Sequence, residues 1–282
     1  MIKSVADEVW AFDCEWVPDI QAGRLLYGLP DDMPQAEVLR VMWEQGGATE
    51  ENPMPFLKTV QCRVVSVAMV IRRVLRNGEV QLFLQALPEN AEDAAQDEVY
   101  ILRRFLLDGL AAHNPQLVGF NSRNSDLRIL VQRAFTHGLD LKSMGERMNA
   151  KPWESRDIDL MDLAGGFGKQ YAVSLNEVAR LSGIPGKMDV MGEDVCGMWY
   201  RGRCRDIVNY NCFDALTTYL VWLRMAFVSG HFTQEKYRLE QRLMRRLIEE
   251  RAQRPDGVFL LAYLDEWKNL KQRTGQDDGV FE

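Results

Sequence analysis

Cysteine is sparse and unpatterned in this chain: five residues in 282, an odd number with no CxxC pair among them. That argues against a disulfide framework and gives a structural zinc site no spacing to use. Histidine is scarcer still, with only His113, His137 and His231. No apolar run approaches the length needed to span a bilayer. The opening MIKSVADEVW lacks the basic start and apolar middle of a secretory signal. A cytoplasmic protein with no membrane association is therefore expected. Positive charge is also in deficit, with 34 Lys and Arg against 41 Asp and Glu, for a net charge of −7. That balance argues against broad, purely electrostatic binding to duplex nucleic acid, which needs a basic face. The acidic balance does not exclude chemistry on nucleic acid, because carboxylates that hold cations lose their charge locally.

What is present is an ordinary globular composition, 46% hydrophobic and 27% charged, long enough to bury a core. No internal repeat or low-complexity tract interrupts it. The segment EVWAFDCEW alternates as a strand does. Trp10, Phe12, Cys14 and Trp16 share one face, and Val9, Ala11, Asp13 and Glu15 the other. From about 19 to 57 the chain reads as a loop-like insertion around one helix, Gln35 to Gln45. VVSVAMVI, from Val64 to Ile71, suits a strand covered on both faces, and Asn77-Gly78 signals a hairpin into VQLFLQ. Helical spacing follows from Asp97 to Leu110, then a short strand in QLVGFN and a helix opening near Ser125. Lys142 to Arg156 looks irregular, and IDLMDL reads as a last short strand. Ser174 to Leu181, Arg205 to Phe227, His231 to Arg254 and Phe259 to Leu270 read as helices. The order βββαβα implies an α/β fold with one mixed sheet flanked by helices. Residues 1–230 are expected as the main domain, and 231–282 as a helical extension outside the sheet that supplies no metal ligand.

Three elements carry candidate chemistry. Asp13-x-Glu15 puts two carboxylates on one face of a strand, about 6.6 Å apart along it. A DxE arises about once by chance in a chain of this length, but an apolar strand seldom commits a face to charge. In GFNSRNSDLRIL, Asn121 ends a strand and Asp126 begins the helix behind it, so both can reach one crevice. The plainer alternative is a turn residue and a helix-favouring N-terminal acid. In YNCFD, Tyr210 and Asp214 share a helix face, as an ordinary solvated pair would. Asp206 lies one turn earlier, as a bystander or an accessory group.

Taken in order, DxE, Asn-x4-Asp and Tyr-x3-Asp resemble the exonuclease signature of the DEDD superfamily, tyrosine subtype. GFNSRNSDLRIL resembles the matching segment of the proofreading exonuclease domain of family B DNA polymerases. SLNEVARLSGIPGKMDVMGEDV with IVNYNCFDALTTYLVWLR looks like the branch of stand-alone predicted 3′–5′ exonucleases related to that domain. The resemblance runs from about Val9 to Arg224. It implies a ribonuclease H-like fold and hydrolysis of phosphodiester bonds at the 3′ end of nucleic acid, releasing 5′-mononucleotides. Asp13, Glu15, Asp126 and Asp214 would hold two divalent cations, Mg2+ or Mn2+, and Tyr210 would orient or deprotonate the attacking water. The superfamily's other subtype uses a histidine there, and none stands five residues before Asp214. Asn121 would help shape the substrate pocket, and Lys187, in Pro185-Gly186-Lys187, would touch substrate phosphate. Single-stranded DNA is the expected partner. RNA or short oligonucleotides stand as an alternative on the same site, and an inactive nucleic-acid-binding scaffold as a further one. Ser125 departs from the polymerase pattern, which places an aromatic residue before the aspartate.

Overall fold

The computed structural model describes residues 1–90, 97–188, 195–276 and 279–281. At its centre is a five-stranded mixed sheet in the order β3-β2-β1-β4-β5. The strands are β1 (Glu8–Pro18), β2 (Cys62–Val74), β3 (Val80–Leu87), β4 (Gln116–Gly119) and β5 (Ile158–Asp159). β1 runs antiparallel to β2 and parallel to β4, and β4 runs parallel to β5. This is the ribonuclease H-like arrangement that the sequence predicts.

The alternation of β1 divides the interior in two. Trp10, Phe12 and Cys14 enter one cluster with Val67, Met69, Phe105 and Ile129, while Val9 and Ala11 enter another with Leu216, Tyr219 and Trp222. Helices α3 (Glu98–Leu102), its π-helical continuation Arg103–Ala111, and α4 (Asp126–Thr136) cover the first face. Helix α9 (Cys204–Val228) covers the second. The register slips between Glu15 and Trp16, a bulge of the kind that re-aims side chains beside active sites.

The insertion holds two helices, α1 (Ile20–Tyr27) and α2 (Gln35–Gln45), where one is expected. α1 is short, and its Gly23 reads as a breaker. A Cβ at Gly23 would lie 2.6 Å from Met42 Sδ and 2.9 Å from Val38 Cγ1, so the glycine permits close packing of the pair. α5 (Gly145–Asn149) lies within the stretch read as irregular. Only Ile158 and Asp159 of IDLMDL are strand, because Asp159 caps α6 (Leu160–Ala164) by accepting from the Met161 and Asp162 amides. α7 (Leu175–Leu181) opens with a Ser174–Glu177 capping box, and α8 (Val195–Tyr200) precedes α9.

The helices expected past residue 231 are present as α10 (Gln234–Ala252) and α11 (Leu260–Thr274). They are not an appendage outside the sheet, and residue 230 marks no boundary between cores. Tyr237, Met244, Ile248, Leu260, Tyr263 and Trp267 are buried in the same cluster as Val9, Ala11 and α9. Glu240 of α10 pairs with Arg72 of β2 through two contacts of 2.7 and 2.8 Å, and also accepts from the Tyr219 hydroxyl at 2.8 Å. Both charged side chains are almost fully buried. Among the described residues no helix is long and apolar enough to cross a membrane, and no disulfide joins any of the five cysteines.

Candidate active site

β1 delivers Asp13 and Glu15 toward α9, the face on which Val9 and Ala11 are covered. α9 returns Tyr210 and Asp214 to them from one turn of its own surface. One ligand-type atom from each of Asp13, Glu15 and Asp214 lies within 4.8 Å of the other two. Asp214 is buried, and Asp13 and Glu15 are partly open to solvent.

Asp126 stands beside this trio. Its Oδ1 accepts from the Cys14 amide at 3.0 Å, and its Oδ2 lies 2.6 Å from the Ser125 hydroxyl. The first contact ties α4 to β1 between the two carboxylate-bearing residues. Ser125 thus uses the place of the expected aromatic to hold Asp126 and to reach the Asn121 carbonyl at 2.7 Å.

Burial and crowding disturb every acid here. Asp13 is pushed well above the carboxylate range, first by burial and then by Asp126, Asp214 and Glu15. Glu15 is raised by burial, Asp214 and Asp126. Burial lifts Asp126 and Asp214 each to about 6. Carboxylates so placed repel one another unless positive charge joins them. Part of that charge is Lys187, whose ammonium opposes the rise at Asp13, Glu15 and Asp214. Its side chain is exposed, while its amide donates to Asn176 Oδ1 at 3.0 Å. A Cβ on Gly186 would lie 2.1 Å from that same oxygen, so glycine is required for the loop to sit there. Residues 189–194 of the run SLNEVARLSGIPGKMDVMGEDV, which carries part of the family resemblance, fall outside the described residues.

Tyr210 hydrogen-bonds to the Asp214 carboxylate, and burial with Asp214, Glu15 and Asp13 raises its phenol far above the ordinary value. The hydroxyl is therefore held protonated and acts as a donor. Asn121 is not drawn into the cluster by its side chain: its Oδ1 accepts from Asn124 at 3.3 Å. Its φ of 57° is one that asparagine tolerates better than most residues. Asp206 pairs with Arg203 at 2.7 Å at the start of α9.

Asp159 is a contributor the motifs do not reveal. Buried at the end of β5, it accepts from the Asn121 amide at 2.9 Å and the Arg123 amide at 3.0 Å. It thereby shapes the turn leading to Asp126. Its one sequence signal is an acid between an apolar strand and a helix, the ordinary mark of an N-cap. Behind α4, Arg133 bonds Glu98 at 2.6 and 2.8 Å and Asp19 at 2.7 Å, while Glu98 also accepts from the Val64 amide at 2.7 Å. That buried network fixes the helix whose first residue is Asp126.

No curated protein matches the sequence. Among solved structures the chain is similar to the family B DNA polymerase of the hyperthermophilic archaeon Pyrobaculum calidifontis, with a TM-score of 0.44 and 16% identity. That likeness covers 96% of this chain and 30% of the polymerase, so the chain spans under a third of that protein's length. One family model matches residues 54–267, which takes in Asp126, Tyr210, Asp214 and about half of α11 but begins after β1. Asp13 and Glu15 lie outside the match, and their place in the site rests on the convergence just described. Over the matched three quarters of its length, the chain belongs to the family of predicted 3′–5′ exonucleases related to the exonuclease domain of PolB.

Proposed function

We propose that this protein is a 3′–5′ exonuclease that removes 5′-mononucleotides from single-stranded DNA, using two divalent cations, Mg2+ or Mn2+. The observation that carries the reading is the meeting of Asp13, Glu15 and Asp214 within 4.8 Å, with Asp126 bonded to the Cys14 amide between them. Four acids raised by burial, two of them (Asp13 and Glu15) further by the charge of the others, form a costly arrangement that hard, oxygen-seeking cations relieve. The donor set therefore fits such ions, with Asp13, Glu15, Asp126 and Asp214 as ligands. Ions of this kind activate water and stabilise the leaving oxygen in phosphodiester hydrolysis.

The chain's own groups divide the remaining work. The Tyr210 hydroxyl, protonated and bonded to Asp214, orients rather than deprotonates the attacking water. Lys187 meets the phosphate as a point charge on an exposed loop. Asn121, at the turn beside Asp126, borders the pocket for the terminal nucleotide.

The test is degradation of 5′-labelled single-stranded DNA and RNA in Mg2+, Mn2+ or chelator. A ladder shortening from the 3′ end of DNA, abolished by chelator, is the expected result. Shortening from the 5′ end, or cleavage indifferent to chelator, would overturn the reading. Faster loss of RNA would move the substrate to RNA while leaving the site in place.

A further inference from the structure

α11 touches the site through a chain of hydroxyls. The Thr217 hydroxyl donates to the Pro185 carbonyl at 2.9 Å and lies 3.0 Å from the Tyr263 hydroxyl. Thr217 and Tyr263 are both fully buried. A carbonyl can only accept, and threonine has one hydroxyl proton. That proton goes to Pro185, so Tyr263 must be the donor to Thr217. The order is fixed: Tyr263 O–H to Thr217 Oγ1, and Thr217 O–H to the Pro185 carbonyl.

Both ends of this chain are anchored. The Tyr263 ring stacks on Phe213 at 5.7 Å and 17°, directly before Asp214 in sequence. Thr217 lies three residues past Asp214, on the neighbouring helix surface. Pro185 begins the Pro185-Gly186-Lys187 loop, whose far side is held by the Lys187 amide on Asn176. Two buried hydroxyls are an expensive way to fill space that phenylalanine and valine would fill without polar atoms. Their effect is to set the height of the loop from which Lys187 faces Asp13, Glu15 and Asp214.

We propose that Tyr263, acting through Thr217, is a positioning residue that fixes the Lys187 loop over the carboxylate cluster, making α11 part of the active-site framework. The kinetic side of this inference rests on the exonuclease reading; the tether itself does not. Tyr263→Phe keeps the stacked ring, Thr217→Val keeps the side-chain volume, and Thr217→Ser keeps the hydroxyl.

The first measurement is amide hydrogen exchange in the full chain. Thr217→Val removes the bond to the Pro185 carbonyl and speeds exchange at Gly186 and Lys187 about five- to tenfold, the scale of one lost hydrogen bond, while Tyr263→Phe keeps that bond but removes its support and speeds exchange about twofold. Thr217→Ser restores the parent rate. The second is steady-state kinetics on a single-stranded oligonucleotide. Tyr263→Phe raises KM more than it lowers kcat, and the effect vanishes in a Lys187→Ala background, because both changes act through one ammonium. Unchanged exchange in both variants would overturn the tether. An equal kinetic effect with and without Lys187 would overturn its link to that residue. A parent protein that cleaves no nucleic acid would defeat the exonuclease reading alone, and exchange would still decide the tether.

Discussion

Asp214→Asn separates a cation ligand from a structural acid, because the two roles predict opposite changes in stability. Asp214 is buried, and its carboxyl titrates at about 6 against an ordinary 3.8. The folded state therefore binds this proton more tightly than the unfolded chain. Above pH 6 the ionised group opposes folding by the full difference, about 3 kcal/mol. As the pH falls through about 6 toward 4, that penalty disappears. Asparagine keeps the volume and can still accept from Tyr210, as the neutral carboxyl would, and that bond is already counted in the titration of Asp214. The variant should thus be more stable than the parent by about 3 kcal/mol at pH 7.5 in chelator, a Tm increase of about 5 °C. At pH 5 about half of that gain is gone. In saturating Mn2+ the order reverses, because a cation at a thousand times its Kd adds about 4.1 kcal/mol to the parent and much less to the variant. Thermal melts at both pH values, with chelator and with Mn2+, give the four comparisons. Lower stability of the variant in chelator at pH 7.5 would refute the burial argument. Near-parent turnover at saturating metal would refute the ligand role.

Tyr210→Phe removes the donor to Asp214 without changing packing, and should lower the single-turnover rate about 10- to 100-fold with Tm and KM close to the parent; an unchanged rate and pH profile would leave Tyr210 a packing residue. Asp159→Asn should weaken Mn2+ binding in a titration although Asp159 lies outside the carboxylate trio, because the turn leading to Asp126 loses one of the carboxylate's amide contacts; parent affinity would show that the turn holds itself. Glu240→Gln leaves the buried Arg72 charge uncompensated and should cost about 3–5 kcal/mol in urea unfolding. Removing residues 231–282 should give no cooperatively folded protein, since it strips Tyr237, Met244, Tyr263 and Trp267 from the core shared with β1; a sharp melting transition in the truncated chain would contradict this.

What sequence reveals here is whatever repeats with a local period. β1 is legible because alternation assigns Trp10 and Phe12 to one face and Asp13 and Glu15 to the other, and the two core clusters follow that division. α2 and α9 are legible from apolar spacing and their stop residues, and the hairpin from Asn77-Gly78. α1 is hidden because Gly23 reads as a breaker, and its reason for being glycine is Met42, on another helix. β5 is overextended in the sequence reading because nothing local says that Leu160 turns helical once Asp159 has capped it.

The site divides along the same line. Asp13, Glu15, Tyr210 and Asp214 are found by type and spacing, since each pair sits within one element. The contacts that hold them join residues far apart: Cys14 to Asp126 across 112 positions, Arg72 to Glu240 across 168, and Thr217 to Tyr263 across 46. No periodicity encodes such a bond. A serine before Asp126 looks like a departure until its hydroxyl is seen on the carboxylate. α10 and α11 look like an addition until Glu240 is seen on β2. The groups proposed to react can be listed largely from one strand and one helix, but their fixed geometry depends on partners scattered from β2 to α11. Substitutions at Asp159, Thr217 or Tyr263 should therefore reach the chemistry as surely as those at the carboxylates, though by loosening the site and not by emptying it.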